Sequence, residues 1–233
     1  MDERLFSGSL AQKRRVGGDG FVKFVLFCEG WTEKGALPDL LRRWLNSKLP
    51  QQVGIQPVRF NGWAEMEKDA ANKAKLHLPR MGVIAVIGLL DLYGPSFYRP
   101  EHKSVEHRFE FAKRHMEMKA NDPRFRQYFA VHDIEAWILS QPGLLPSTVR
   151  RKLPGTAGNP ETVNFDEPPA RLLDRCYREA TGRKYKKVTY GAELFRELDP
   201  AVVREKCPYF RLMADDLVNM AAKALESSKQ RQG

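Results

Sequence analysis

Met81-Gly-Val-Ile-Ala-Val-Ile-Gly-Leu-Leu90 runs straight into Asp91. The apolar run is unbroken, rich in β-branched residues and shorter than an ordinary helix, so it predicts a strand buried on both faces. Such strands belong to parallel sheets with helices covering both sides. Phe21-Val-Lys-Phe-Val-Leu-Phe-Cys28 is a second run of this kind, and it too ends in an acid, Glu29.

Working outward from these two runs, a helix follows Glu29-Gly30. Thr32 is its expected cap, and Leu37, Leu40, Leu41, Trp44 and Leu45 form its apolar face. Pro38 is expected to bend it or delay its start. A weaker strand is predicted over residues 53–60 and a helix over 63–76. A charged helix over 101–120 places Phe109, Ala112 and Met116 inward, and a short strand over 128–132 leads into a helix over 134–140. This β-α-β-α-β-α-β-α order predicts an α/β fold: a mostly parallel sheet flanked by helices. The expected organisation is a flexible lead-in over residues 1–20, the α/β core over 21–141 and a loop-rich connection over 142–168. A helical C-terminal part over 169–228 packs on the core, with helices at 169–181, 190–198 and 209–227.

The composition narrows the function classes. Of the 233 residues, 42% are hydrophobic, enough for a packed core, yet no apolar run reaches membrane-spanning length. The first residues lack the basic-then-apolar pattern of a secretory leader, so a cytoplasmic location with no membrane partner is expected. Cys28, Cys176 and Cys207 form neither a disulfide framework nor a zinc motif. The net charge of +10 suits a polyanionic partner.

Open parallel sheets bind ligands outside the carboxyl ends of their strands. Glu29 and Asp91 stand there. Glu33, four residues after Glu29, faces the same region if a helix follows, and Asp133 and Glu135 follow the fourth strand. Taken singly, each acid also has a structural reading: Glu33 in a first helical turn, Asp91 opening a turn, Glu135 starting a helix. Gathered together, the carboxylates repel one another, and a hard divalent cation relieves that repulsion.

Glu29-Gly-Trp-Thr-Glu33 resembles the EGxTE signature of topoisomerase–primase (Toprim) proteins, and Asp91-Leu-Tyr-Gly94 resembles their second acidic motif. More closely, the chain resembles the DUF4276 family of the Toprim-like group. The shared segments include His132-Asp-Ile-Glu-Ala-Trp137, Asn159-Pro-Glu-Thr-Val-Asn164 and Cys207-Pro-Tyr-Phe210. The resemblance implies a nuclease that uses Mg²⁺ or Mn²⁺. It gives Glu29 and Asp91 the catalytic roles and makes Glu29, Glu33, Asp91 and Glu135 the metal ligands. It also suggests bacterial or phage defence beside a partner ATPase. One departure stands out: Tyr93 replaces the second acid of the usual DxD pair, so Glu135 or Asp133 would have to supply that carboxylate.

Arg183, Lys184, Lys186 and Lys187, and a second group at Arg150 and Arg151, are the expected nucleic-acid contacts. Tyr177, Tyr185 and Tyr190 lie among them as candidate stacking groups. The sequence thus points to metal-dependent phosphodiester hydrolysis of DNA or RNA. The other reading of the same residues is a non-catalytic module that binds nucleic acid or a partner.

Overall fold

A computed structural model describes residues 22–162 and 167–230. The expected lead-in over residues 1–20 lies outside the described residues, as do Phe21 of the first strand and Val163 and Asn164 of the Asn159 motif. Within them, β1 (Lys23–Cys28), β2 (Gly54–Arg59), β3 (Val83–Asp91) and β4 (Phe125–Ala130) form a parallel sheet in the order β2-β1-β3-β4. The α/β reading of the sequence is correct. β2 carries Pro57, whose missing N–H confines it to an edge strand, and an edge is where it lies. β4 starts and ends earlier than the sequence suggests; just past its end, His132 takes a left-handed φ of 65°.

α1 (Trp31–Lys48) and α2 (Trp63–His77) follow β1 and β2, and α3 (Val105–Ala120) follows β3. α1 runs unbroken through Pro38 rather than starting late. Pro38 is buried with Leu37, Leu40, Leu41, Trp44 and Leu45, so packing of the inner face outweighs the lost backbone hydrogen bond. Thr32 does not cap this helix: Gly30 is the N-cap residue, and Thr32 is buried. α3 begins at Val105 because the Ser104 hydroxyl accepts a hydrogen bond from the His107 N–H at 3.2 Å.

Alternate residues of the central strands feed two cores. Phe24 and Leu26 of β1 and Ile87 and Leu89 of β3 pack against α1 and the C-terminal helices. Val25, Phe27, Val86 and Leu90 face α2 and α3. α4 (Glu135–Leu139) follows β4, α5 (Ser147–Arg150) lies in the connecting segment, and the C-terminal part opens with α6 (Pro169–Thr181). A π-helical turn at Lys187–Gly191 leads into α7 (Ala192–Glu197), α8 (Pro200–Lys206) and α9 (Pro208–Gln230). The helix expected over 190–198 is thus the end of the π turn followed by α7, and α8 had no counterpart in the sequence reading.

This part is bonded to the sheet layer at several points. The Trp44 indole donates to the Ala214 carbonyl at 3.1 Å, and Arg43 donates to the Leu198 and Phe195 carbonyls at 2.5 and 3.2 Å. The three cysteines are buried and unpaired. Among the described residues no helix is long and apolar enough to cross a membrane.

The strand order positions the site. The chain moves from β1 to one side to form β2, then returns to the other side of β1 to form β3. The direction reverses between β1 and β3, and a crevice opens outside the carboxyl ends of such a pair. Glu29 and Asp91 end those two strands.

Candidate acidic site at the strand ends

Glu29 leaves β1 one residue beyond Cys28, which pairs in register with Leu89 of β3. Its carboxylate lies beside the end of β3, within reach of the Asp91 backbone amide. Burial and the neighbouring Glu33 raise its pKa, and the backbone amides of Trp63 and Asp91 offset part of that rise. Trp63 is the first residue of α2, preceded by Gly62 at a φ of 97°, a conformation that glycine adopts without strain. One carboxylate oxygen of Glu29, Oε2, is buried without a hydrogen-bond partner.

Glu33 occupies the third position of α1 and folds back over Gly30. A Cβ at residue 30 would collide with Glu33 Oε2, so only glycine leaves room for the carboxylate there. The Gly30 and Glu33 amides favour its charged form, which is the backward half of a capping box. Burial dominates all the same and raises its pKa, with Glu135 adding to the rise. The structural role weighed for Glu33 is thus real, and it coexists with membership of the acidic group.

Asp91, Asp133 and Glu135 complete the cluster. Burial first, then Asp133, Glu135 and Glu29, push the Asp91 carboxyl well above the usual carboxylate range. Glu135, the first residue of α4, is fully buried; burial and Asp133 raise its pKa to about 7. Asp133 accepts hydrogen bonds from the Glu135 and Ala170 amides at 3.1 and 3.2 Å, which fixes both α4 and the start of α6.

Into this group the π turn sends Lys187, whose Nζ lies 2.9 Å from Glu135 Oε2. Burial alone would favour neutral lysine, but Glu135, Asp133 and Asp91 together hold it charged. Its ammonium is the cation of the cluster. Glu135 Oε1 remains buried with no partner.

The donor set suits a hard divalent cation: every candidate ligand is a carboxylate, all have raised pKa values, and two buried oxygens are orphaned. As the side chains stand, no three His, Cys, Asp or Glu groups among the described residues close around one ion. In this arrangement Lys187 takes up one side of Glu135.

The basic residues divide. Arg150, Arg151, Arg183, Lys184 and Lys186 are exposed, whereas Lys187 is drawn inward. The tyrosines do not offer stacking surfaces as expected. Tyr177 and Tyr185 are core residues, and Tyr190 stacks on Tyr177 with ring centroids 5.8 Å apart. Lys184-Tyr-Lys-Lys187 reads as one solvated run, but in an irregular segment its side chains alternate between core, solvent and site. His132 stacks on Tyr93 at 4.6 Å, and burial lowers its pKa to about 4.

Two shared segments prove structural. Glu161 accepts the Tyr209 and Phe210 amides at 2.8 and 3.3 Å, so the Asn159 segment caps the helix that starts at Cys207-Pro208. The sequence reading missed one feature altogether: Trp31 stands exposed within the first acidic motif, with Lys34 and Arg59 against its ring.

Comparison with curated proteins gives no significant match. Among solved structures the chain is similar to the C-terminal region of the Burkholderia pseudomallei OLD protein. Identity is 16%, coverage is 84% of this chain and 100% of that one, and the TM-score is 0.39. At that score the likeness adds nothing to the reading of the site. The profile of a domain of unknown function, DUF4276, matches residues 28–217, and the chain belongs to that family.

Proposed function

We propose that this chain hydrolyses phosphodiester bonds of nucleic acid with the help of Mg²⁺ or Mn²⁺. The carrying observation is that Glu29, Glu33, Asp91 and Glu135, each raised in pKa by burial and by at least one acidic neighbour, gather with the buried Asp133 around Lys187 at the carboxyl ends of β1 and β3. Glu29, Glu33, Asp91 and Glu135 would hold the cation. When bound, it would supply charge stabilisation for a phosphoryl group and a more acidic water.

The protein's own groups do the rest. Glu29, with a raised pKa and a free buried oxygen, is placed to accept or return a proton. Asp91, at the end of the central strand, would give its carboxylate to the cation, whose charge would offset the burial and the neighbouring acids that favour its protonated form. Lys187 stays cationic and offers its ammonium to a phosphate oxygen. The net charge of +10, with Arg150, Arg151, Arg183, Lys184 and Lys186 exposed, draws in the polyanion. A place in bacterial defence beside an ATPase belongs to the Toprim-like resemblance.

A second reading, a module that binds nucleic acid without cutting it, is favoured by Tyr93 in place of the second DxD acid and by the ion pair of Lys187. The two separate in one experiment. Plasmid, linear duplex and single strands are incubated with Mg²⁺, Mn²⁺ or EDTA, beside Glu29→Gln and Asp91→Asn. Cleavage that needs metal and both acids is the expected result. Binding without cleavage, unaffected by either substitution, would establish the module instead.

A further inference from the structure

Trp31 is the first residue of α1, between Glu29 and Glu33 in the chain, and 62% of it is exposed. Trp44 and Trp137 are buried, and Trp63 is partly so. Two cations lie against the Trp31 ring: the Arg59 guanidinium carbon is 4.4 Å and Lys34 Nζ 5.1 Å from its centroid. Arg59 ends β2 and pairs in register with Cys28, the residue before Glu29. The group therefore stands at the strand ends, beside the first acid of the cluster. Arg59 donates to the Phe60 carbonyl at 3.3 Å, and among the described residues neither Arg59 nor Lys34 makes an ion pair.

An exposed aromatic ring flanked by two positive charges, neither of them neutralised by a carboxylate, matches one ligand chemistry well, a flat base joined to a phosphate. A paired duplex hides its base faces and presents phosphates and groove edges, which the cations would meet without the ring. An unpaired nucleotide uses both. We propose that Trp31, Arg59 and Lys34 form a platform for an unpaired nucleotide of DNA or RNA, and so select strands with single-stranded character. The proposal rests on the nucleic-acid reading of the acidic site and names its substrate class.

The test measures binding in EDTA, so that it is independent of cleavage. Oligothymidylate, oligouridylate and a blunt duplex are titrated against the full chain, Trp31→Ala, Trp31→Phe and Arg59→Ala, each first checked for an unchanged melting temperature. Trp31→Ala is expected to weaken single-strand binding roughly ten- to a hundred-fold. Duplex binding should stay within about two-fold, and Trp31→Phe should keep most of the single-strand affinity. Single strands should quench the fluorescence of the full chain, and Trp31→Phe should abolish that quench. The two single-strand arms tell DNA from RNA.

Equal loss on strand and duplex, no loss in Trp31→Ala, or no binding to either would overturn the platform. Ring-dependent binding without metal-dependent cleavage would leave the platform standing and sink the nuclease. Cleavage that is indifferent to Trp31 would do the reverse.

Discussion

Lys187 shows how one side chain sets the state of a whole site. Buried carboxylates without a cation are costly, and removing one partner of a buried pair costs more than the pair contributed. Lys187 is 40% exposed, so solvent screens part of this. Lys187→Met should lower stability at pH 8 by about 1–3 kcal/mol, measured by urea unfolding. The loss should shrink at pH 5, where Glu135, with its pKa near 7, is already neutral. Adding Glu135→Gln should restore most of what Lys187→Met removes. A double variant no more stable than Lys187→Met would mean that the pair is not what holds the lysine in place.

At the scale of elements, α9 depends on a residue far away in the chain. Its first amides are taken up by Glu161, which is buried, and burial pushes that carboxyl up to about 7 from 4.5. A carboxyl with a raised folded-state pKa binds protons more tightly in the native state. Its cost is therefore absent below about pH 4.5, grows as pH rises, and is fully present above about 7. The chain should thus be more stable at pH 5 than at pH 8. Glu161→Gln should remove roughly 2–4 kcal/mol of that difference, read from denaturant midpoints at the two pH values. A pH dependence identical in the variant would show that Glu161 does not titrate in this window.

Elements also show where sequence patterns mislead. Residues 101–104 look helical by composition, but the Ser104 cap starts α3 later. Pro38 signals a break in α1, but the cost is local and the buried face is long. Glu161 could have been singled out as a lone acid within a turn, yet nothing local reveals which amides it accepts.

At the scale of the molecule, the C-terminal helices complete the core. Trp137 packs against Phe210 with ring centroids 4.8 Å apart, and one apolar cluster runs from Phe24 through Ile87 and Tyr128 to Leu217 and Leu225. Tyr128 in β4 donates to Asp216 of α9 at 2.8 Å. A chain ending at Gln141 would keep α1 on that sheet face but expose the part that α9 and its neighbouring helices cover. It should show no cooperative thermal transition and should bind a hydrophobic dye, whereas the full chain should unfold in a single step. Cooperative unfolding of the shortened chain would mean that the α/β part is stable alone.

The parallel α/β layering and the acids at the strand ends were legible in the residues alone. Both are local: an apolar run with its period, and the residue that ends it, are written in consecutive positions. It is folding that makes β1 and β3 neighbours, turns Lys187 inward to Glu135 while Lys184 and Lys186 stay in water, and buries Tyr177 and Tyr185 in the core. Those outcomes depend on strand order and on packing between segments about fifty residues or more apart, where burial and charge are shared among groups that no window of sequence brings together.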